Sequence, residues 1–87
     1  MAGDDPRYRL FEEIAAGNQR RILAIAGSYA HGDECRDLYQ EILLQMWKGF
    51  DSFQGRSALS TWVYRVALNT AITYRRKIGR RVEPSAR

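Results

Sequence analysis

The sequence predicts an all-α domain, a compact helical bundle of about four helices. Three observations predict it. Apolar residues recur at spacings of three and four along most of the chain. No run of β-branched residues keeps a period of two beyond a few positions. Both prolines, Pro6 and Pro84, lie outside the body of the domain, so nothing breaks a helix between them. A chain of 87 residues supports one small domain with a modest core. Its 45% hydrophobic content, with ten aromatic rings, favours folding over disorder.

The first helix is predicted from Pro6 to about Ala16. Proline suits the first helical turn, and Gly17-Asn18 is a stop signal. Leu10, Phe11, Ile14 and Ala15 form its apolar side. The second helix runs from about Gln19 to Ala30, with Ile22, Leu23, Ile25, Ala26 and Tyr29 as a wide apolar face. "HGD" separates it from the third, whose expected N-cap is Asp33. Glu34 and Asp37 then stand near the positive end of the helix dipole. The third helix extends to about Phe50, with Leu38, Ile42, Leu43, Met46, Trp47 and Phe50 as its stripe. "DSFQGRS" has turn chemistry. Ser57 is expected to cap the fourth and longest helix, to about Ile78, roughly 30 Å at ~1.5 Å per residue. "GRRVEPSAR" reads as a fraying end and linker.

Charge divides the chain. Residues 1–51 hold six Lys/Arg against nine Asp/Glu, a net of −3. Residues 52–87 hold eight Lys/Arg against Glu83 alone, a net of +7. A basic surface can be solvated without a partner, but the asymmetry favours two partners, with a polyanion at the C-terminal half.

Several classes find little support. One cysteine, Cys35, excludes an intrachain disulfide, and Cys35 with His31 is too few ligands for structural zinc. No apolar run nears the ~20 residues of a membrane span, and "MAGDDPRYR" has no apolar segment behind it, unlike a signal peptide. A cytoplasmic location with no membrane partner is therefore expected. No Gly-rich phosphate loop or nucleophile–base pair is evident, so neither catalysis nor a cofactor is expected.

On a helical wheel of "STWVYRVALNTAITYRRK", Leu59, Val63, Val66, Thr70 and Tyr74 fall on one side, the core face. Leu68 and Ile72 fall nearer the opposite side, so neighbours are expected to cover the helix on two sides. Between these faces runs a stripe at i, i+3, i+7 and i+14: Trp62, Arg65, Asn69 and Arg76, with Thr73 beside it. Arginine forks onto phosphate. The Asn amide donates and accepts, so it can read a base edge. Trp62 can be a core ring or a stacking face, and Asn69 an exposed helix residue or a reader. Arg75, Arg76, Lys77, Arg80 and Arg81 continue the cationic surface. On the third helix, Asp37 and Glu41 lie four apart and point the same way, with Gln40 and Gln45 nearby. That side is a solvated face or an acidic docking edge for a basic protein.

The segment "DLYQEILLQMWKGFDSFQGRSALSTWVYRVALNTAITYRRK" resembles region 2 of bacterial RNA polymerase sigma factors of the extracytoplasmic-function (ECF) group. The family reads approximately D-L-V-Q-E-x-F-L, an aromatic, an F-R-G-x-S loop, T-W-L-Y-R-I-A-x-N and R-R. The resemblance covers roughly residues 10–80. It implies a domain at 1–80 that binds core polymerase and recognises and melts the minus-ten promoter element. Residues 81–87 would then start a linker to a region 4 domain that this chain lacks. Asp37, Gln40, Glu41 and Trp47 would dock on the β′ clamp helices. The stretch from Asp51 to Ser60 would hold a flipped base of the non-template strand, with Phe53 and Asn69 contributing. Phe53, Arg56, Ser57, Ser60, Trp62, Arg65, Asn69, Arg75, Arg76 and Lys77 are the DNA-binding candidates. An anti-sigma factor is a further expected partner. The chain departs from the pattern at Cys35, Arg36 and Tyr39, and at Gln54, where "FQG" replaces "FRG" and removes a cation. Two other functions fit the residues: an interaction module binding polymerase or an anti-sigma factor through the third helix without reading DNA, and a nonspecific nucleic-acid binder using the basic end.

Overall fold

The computed structural model describes residues 5–53 and 58–86. Four helices follow in order: α1 Pro6–Gly17, α2 Gln19–Tyr29, α3 Asp33–Lys48 and α4 Leu59–Ala86. A short 3-10 turn, Phe50–Ser52, follows α3. No strand occurs among the described residues. The predicted all-α bundle is therefore the observed one.

Local chemistry sets the junctions. Asp5 caps α1 by accepting from the Arg7 backbone N–H at 2.9 Å, with Pro6 opening the first turn. Asn18 joins α1 to α2. Its side-chain amide donates to the Ile14 carbonyl at 2.8 Å, and its own carbonyl accepts from Ile22 N–H at 2.9 Å.

The expected cap at Asp33 is not observed. Gly32 holds that position and Asp33 is the first helical residue. Gly32 has φ of 58°, a conformation costly for any residue with a Cβ. The chain turns here between α2 and α3, and backbone freedom rather than a side-chain acceptor makes the turn. Asp33 and Glu34 still occupy the first turn, where the helix dipole favours them.

At the other end α3 stops at Lys48, and Gly49 donates to the Gln45 carbonyl at 3.0 Å. Helix α4 opens with Trp62 N–H donating to the Ala58 carbonyl at 3.1 Å. The expected cap at Ser57 lies outside the described residues. Helix α4 passes the expected end at Ile78 and continues to Ala86. Gly79 costs a helix only about 1 kcal/mol, and an existing helix needs one bond per added residue to grow. Pro84 falls in the last turn, where its missing N–H removes one ladder bond close to the helix end.

Helix α4 packs on both α2 and α3. Ile22, Leu38, Ile42, Met46 and Val63 are the largest fully buried side chains. Small residues let the backbones approach: Ala26 in α2, Ala30 just after it, and Ala67 and Ala71 on α4, all buried. The wheel named Val63 and Thr70 correctly but passed over these two alanines. Thr70 is buried with its hydroxyl donating to the Val66 carbonyl at 2.7 Å. Ile72 is exposed, so the expected cover on its side of α4 is incomplete. Leu10 and Leu23, expected in apolar faces, are exposed as well. Phe11 is the residue of α1 that enters the core. No helix among the described residues is long and apolar enough to cross a membrane.

Candidate nucleic-acid interface

A chain of aromatic rings ties α1 to the start of α4. Tyr8 and Phe11 meet Trp47 at centroid distances of 5.5 and 5.1 Å, both edge-on. Trp47 stacks near Phe50 at 6.2 Å. Phe50 then meets Trp62 at 6.2 Å, and Trp62 meets Phe53 at 5.4 Å. Such pairs add about 0.5–1.5 kcal/mol each beyond burial. Phe50, in the 3-10 turn, is the middle link. It fixes Trp62 against the core while Trp62 and Phe53 remain half-buried. The two roles open to Trp62 are compatible in this geometry: one part packs on the core, and the rest meets solvent beside Phe53.

From that ring pair the stripe runs along α4. Ser60, Arg65, Asn69, Thr73, Arg76 and Lys77 are exposed. Asn69 stands seven residues beyond Trp62, about 10 Å along the axis. Arg75 departs from this line. Its guanidinium donates to the Tyr29 carbonyl at 3.3 Å, at the C-terminal end of α2. Consecutive residues are ~100° apart on a helix, so Arg75 serves the α2 flank while Arg76 lies with Arg65. Arg56 and Ser57, also expected here, lie outside the described residues.

An open groove of about 400 Å³ lies between α3 and α4, lined by Glu41, Gln45, Asn69, Thr73, Tyr74 and Lys77 among others. Gln45 donates to the Glu41 carboxylate at 2.9 Å, which holds that carboxylate on the α3 wall. Of the residues expected to face polymerase, Glu41 lines this groove, and of those expected to face DNA, Asn69 and Lys77 do. Asp37 and Gln40 are exposed, and Glu41 is half-buried. Trp47 lies seven residues beyond Gln40 on the same face, but its ring is taken up by α1.

Sequence reasoning missed one contact altogether. Arg7, in the first turn of α1, lays its guanidinium carbon 4.8 Å from the Trp47 ring centroid. Its Nη1 also donates to both carboxylate oxygens of Asp51, at 2.9 and 2.7 Å. The partners are 44 residues apart, and no local pattern signals such a pair. Among the described residues no group of three His, Cys, Asp or Glu side chains is placed to hold a metal.

Comparison with known proteins identifies the family. The family model described as sigma-70 region 2 matches residues 14–81. The chain belongs to the sigma-70 region 2 family. It is 33% identical over 79 residues to the ECF RNA polymerase sigma-E factor of Escherichia coli strain K12, covering 91% of this chain and 40% of that protein. The same figures hold for the sigma-E factor of Salmonella typhimurium strain LT2. The Haemophilus influenzae sigma-E factor is 32% identical over 73 residues, 84% of this chain and 39% of its own length. The region 2 domain thus spans about two fifths of the curated relatives it matches. No solved structure matches it significantly. The expected resemblance to region 2 of ECF sigma factors is borne out, with the D-L-x-Q-E segment on α3 and the T-W-x-Y-R segment in the opening turns of α4.

Proposed function

We propose that this region 2 domain binds core RNA polymerase and recognises and melts the minus-ten promoter element at transcription initiation. The observation that carries this reading is the α4 surface. Arg65, Asn69 and Arg76 face solvent in a line that starts at the half-buried Phe53–Trp62 pair.

Flipping a base out of a duplex costs a few kcal/mol. Stacking on an aromatic ring returns roughly 1–3 kcal/mol per base. The ring pair thus offsets much of the cost for one base of the non-template strand. Asn69 reads the edge of an unpaired base through its amide. Arg65, Arg76 and Lys77 hold phosphates and fix the register without reading sequence. Asp37, Gln40 and Glu41 dock on the β′ clamp helices of core polymerase, with Trp47 supporting that face from α1's side. An anti-sigma factor would compete for surfaces of this kind, and the domain works in the cytoplasm as a binding component that catalyses no reaction.

The test compares Asn69→Ala with Arg76→Ala, binding single-stranded minus-ten DNA with core polymerase present. The first loosens base choice. The second weakens all sequences alike and reduces the salt slope by about one. If neither variant alters DNA binding, the reading fails. Indifference of the unaltered domain to a scrambled minus-ten sequence would favour a nonspecific binder instead.

A further inference from the structure

We infer that Arg7 of α1 is a positioning residue for the base pocket, acting as a latch on the turn that carries Phe53. The inference rests on the proposed reading of that pocket. Among the described residues, the contacts of the Arg7 guanidinium are with Asp51 and Trp47, not with Arg65, Asn69 or Arg76. It holds Asp51 through both carboxylate oxygens and lies over Trp47.

Asp51 is the middle residue of the 3-10 turn Phe50–Ser52. Phe50 anchors that turn inward, on Phe11, Trp47 and Trp62. Phe53 closes it by donating its N–H to the Phe50 carbonyl at 3.2 Å and then meets Trp62. The ion pair with Arg7 is the turn's outer tether. Without it the turn is held from the inner side alone.

The pair is exposed, and an exposed ion pair by itself holds little. Two features strengthen this one. The Trp47 face preorients the guanidinium, and Asp5 and Pro6 fix the first turn of α1 from which Arg7 projects. A planar guanidinium can stack on the indole and bond the carboxylate at once, whereas a lysine ammonium offers only a point charge. The α1 start thereby acts on base capture at a distance, through the turn, without touching nucleic acid.

Three variants of the whole chain test this: Arg7→Ala, Arg7→Lys and the double variant Arg7→Ala/Asp51→Ala. Two quantities are read. One is the NMR resonance of the Trp62 indole N–H with the amide exchange rate of Phe53, in the absence of DNA. The other is base discrimination, with core polymerase, from a pool of single-stranded oligonucleotides randomised across the minus-ten element. Arg7→Ala should shift the Trp62 indole and speed Phe53 exchange about fivefold, the size of an exposed cation–π contact and ion pair together. It should lower base discrimination by a similar factor and leave the salt slope unchanged. Arg7→Lys should fall between, and the double variant should match Arg7→Ala, since one tether is lost in both. Raising the salt concentration should speed Phe53 exchange in the unaltered protein but not in Arg7→Ala. An unchanged Trp62 indole and Phe53 exchange rate in Arg7→Ala overturns the latch. A loosened turn with full base discrimination overturns its role in base capture. If the unaltered protein shows no base discrimination, the reading of the pocket fails, and the latch is judged by the exchange rates alone.

Discussion

Glu41 on α3 and Asn69 on α4 line the same groove of about 400 Å³. A carboxylate therefore stands across from the amide proposed to read a base. Phosphates are repelled from that wall, and an uncharged base edge is not. Lys77 lines the same groove from α4, so its two walls carry opposite charge, and Glu41 is the group that opposes a phosphate there.

Glu41→Gln removes this repulsion and keeps the hydrogen-bonding shape. Affinity for single-stranded DNA of any sequence should rise about two- to fivefold at low salt, and the gain should vanish as salt screens it. Affinity for core polymerase should fall in the same variant. Fluorescence anisotropy at two salt concentrations measures the first effect. No salt-dependent gain would mean that Glu41 does not face the strand.

Arg75 and Arg76 are adjacent but should behave differently. Arg75→Ala loses the bond to the Tyr29 carbonyl, a favourable cation at a helix C-terminus, and should cost about 0.3–1 kcal/mol of stability. Its effect on the salt slope of DNA binding should be smaller than that of Arg76→Ala. Urea melts and salt titrations of both variants separate the two roles.

Gly32→Ala meets open space around the new Cβ but a backbone at φ of 58°. The loss should therefore be strain alone, about 1–3 kcal/mol. Crowding is absent, but ψ is −131°, outside the left-handed helical well that asparagine tolerates, so Gly32→Asn should lose about as much. Thermal unfolding of the pair gives the comparison.

Ile42→Ala empties a fully buried site between α3 and its neighbours. It should cost about 2–5 kcal/mol, a large share of what a domain this size holds. The urea midpoint should drop with little change in slope. Leu44→Ala, at an exposed position two residues on and round the other side of α3, should move the midpoint far less.

Much of the fold was legible because four helices repeat their apolar residues at helical spacing. The stripe Arg65, Asn69 and Arg76 was legible for the same reason, since a wheel needs only one helix. What escaped depended on partners distant in sequence. Ala67 and Ala71 read as neutral fillers until α2 and α3 pack on α4 and bury them. Arg7 and Asp51 each look like ordinary surface charges until α1 and the 3-10 turn meet. Arg75 looked like part of the basic run until α2 ended beside it. The helix ends were legible only where a side chain marks them. Pro6 and Asn18 do so, but at Gly32 a backbone angle replaces the cap, and α4 passes a glycine that could have stopped it.

The ring chain also gives the protein its own optical reporter. Its two tryptophans stand at opposite ends of Phe50, one beneath Arg7 and one beside Phe53. A Trp47→Phe variant keeps an aromatic body at the α1 end and leaves Trp62 as the sole indole fluorophore. Light emission from that one side chain would then follow a nucleobase arriving at the pocket in real time, with no dye attached to either molecule.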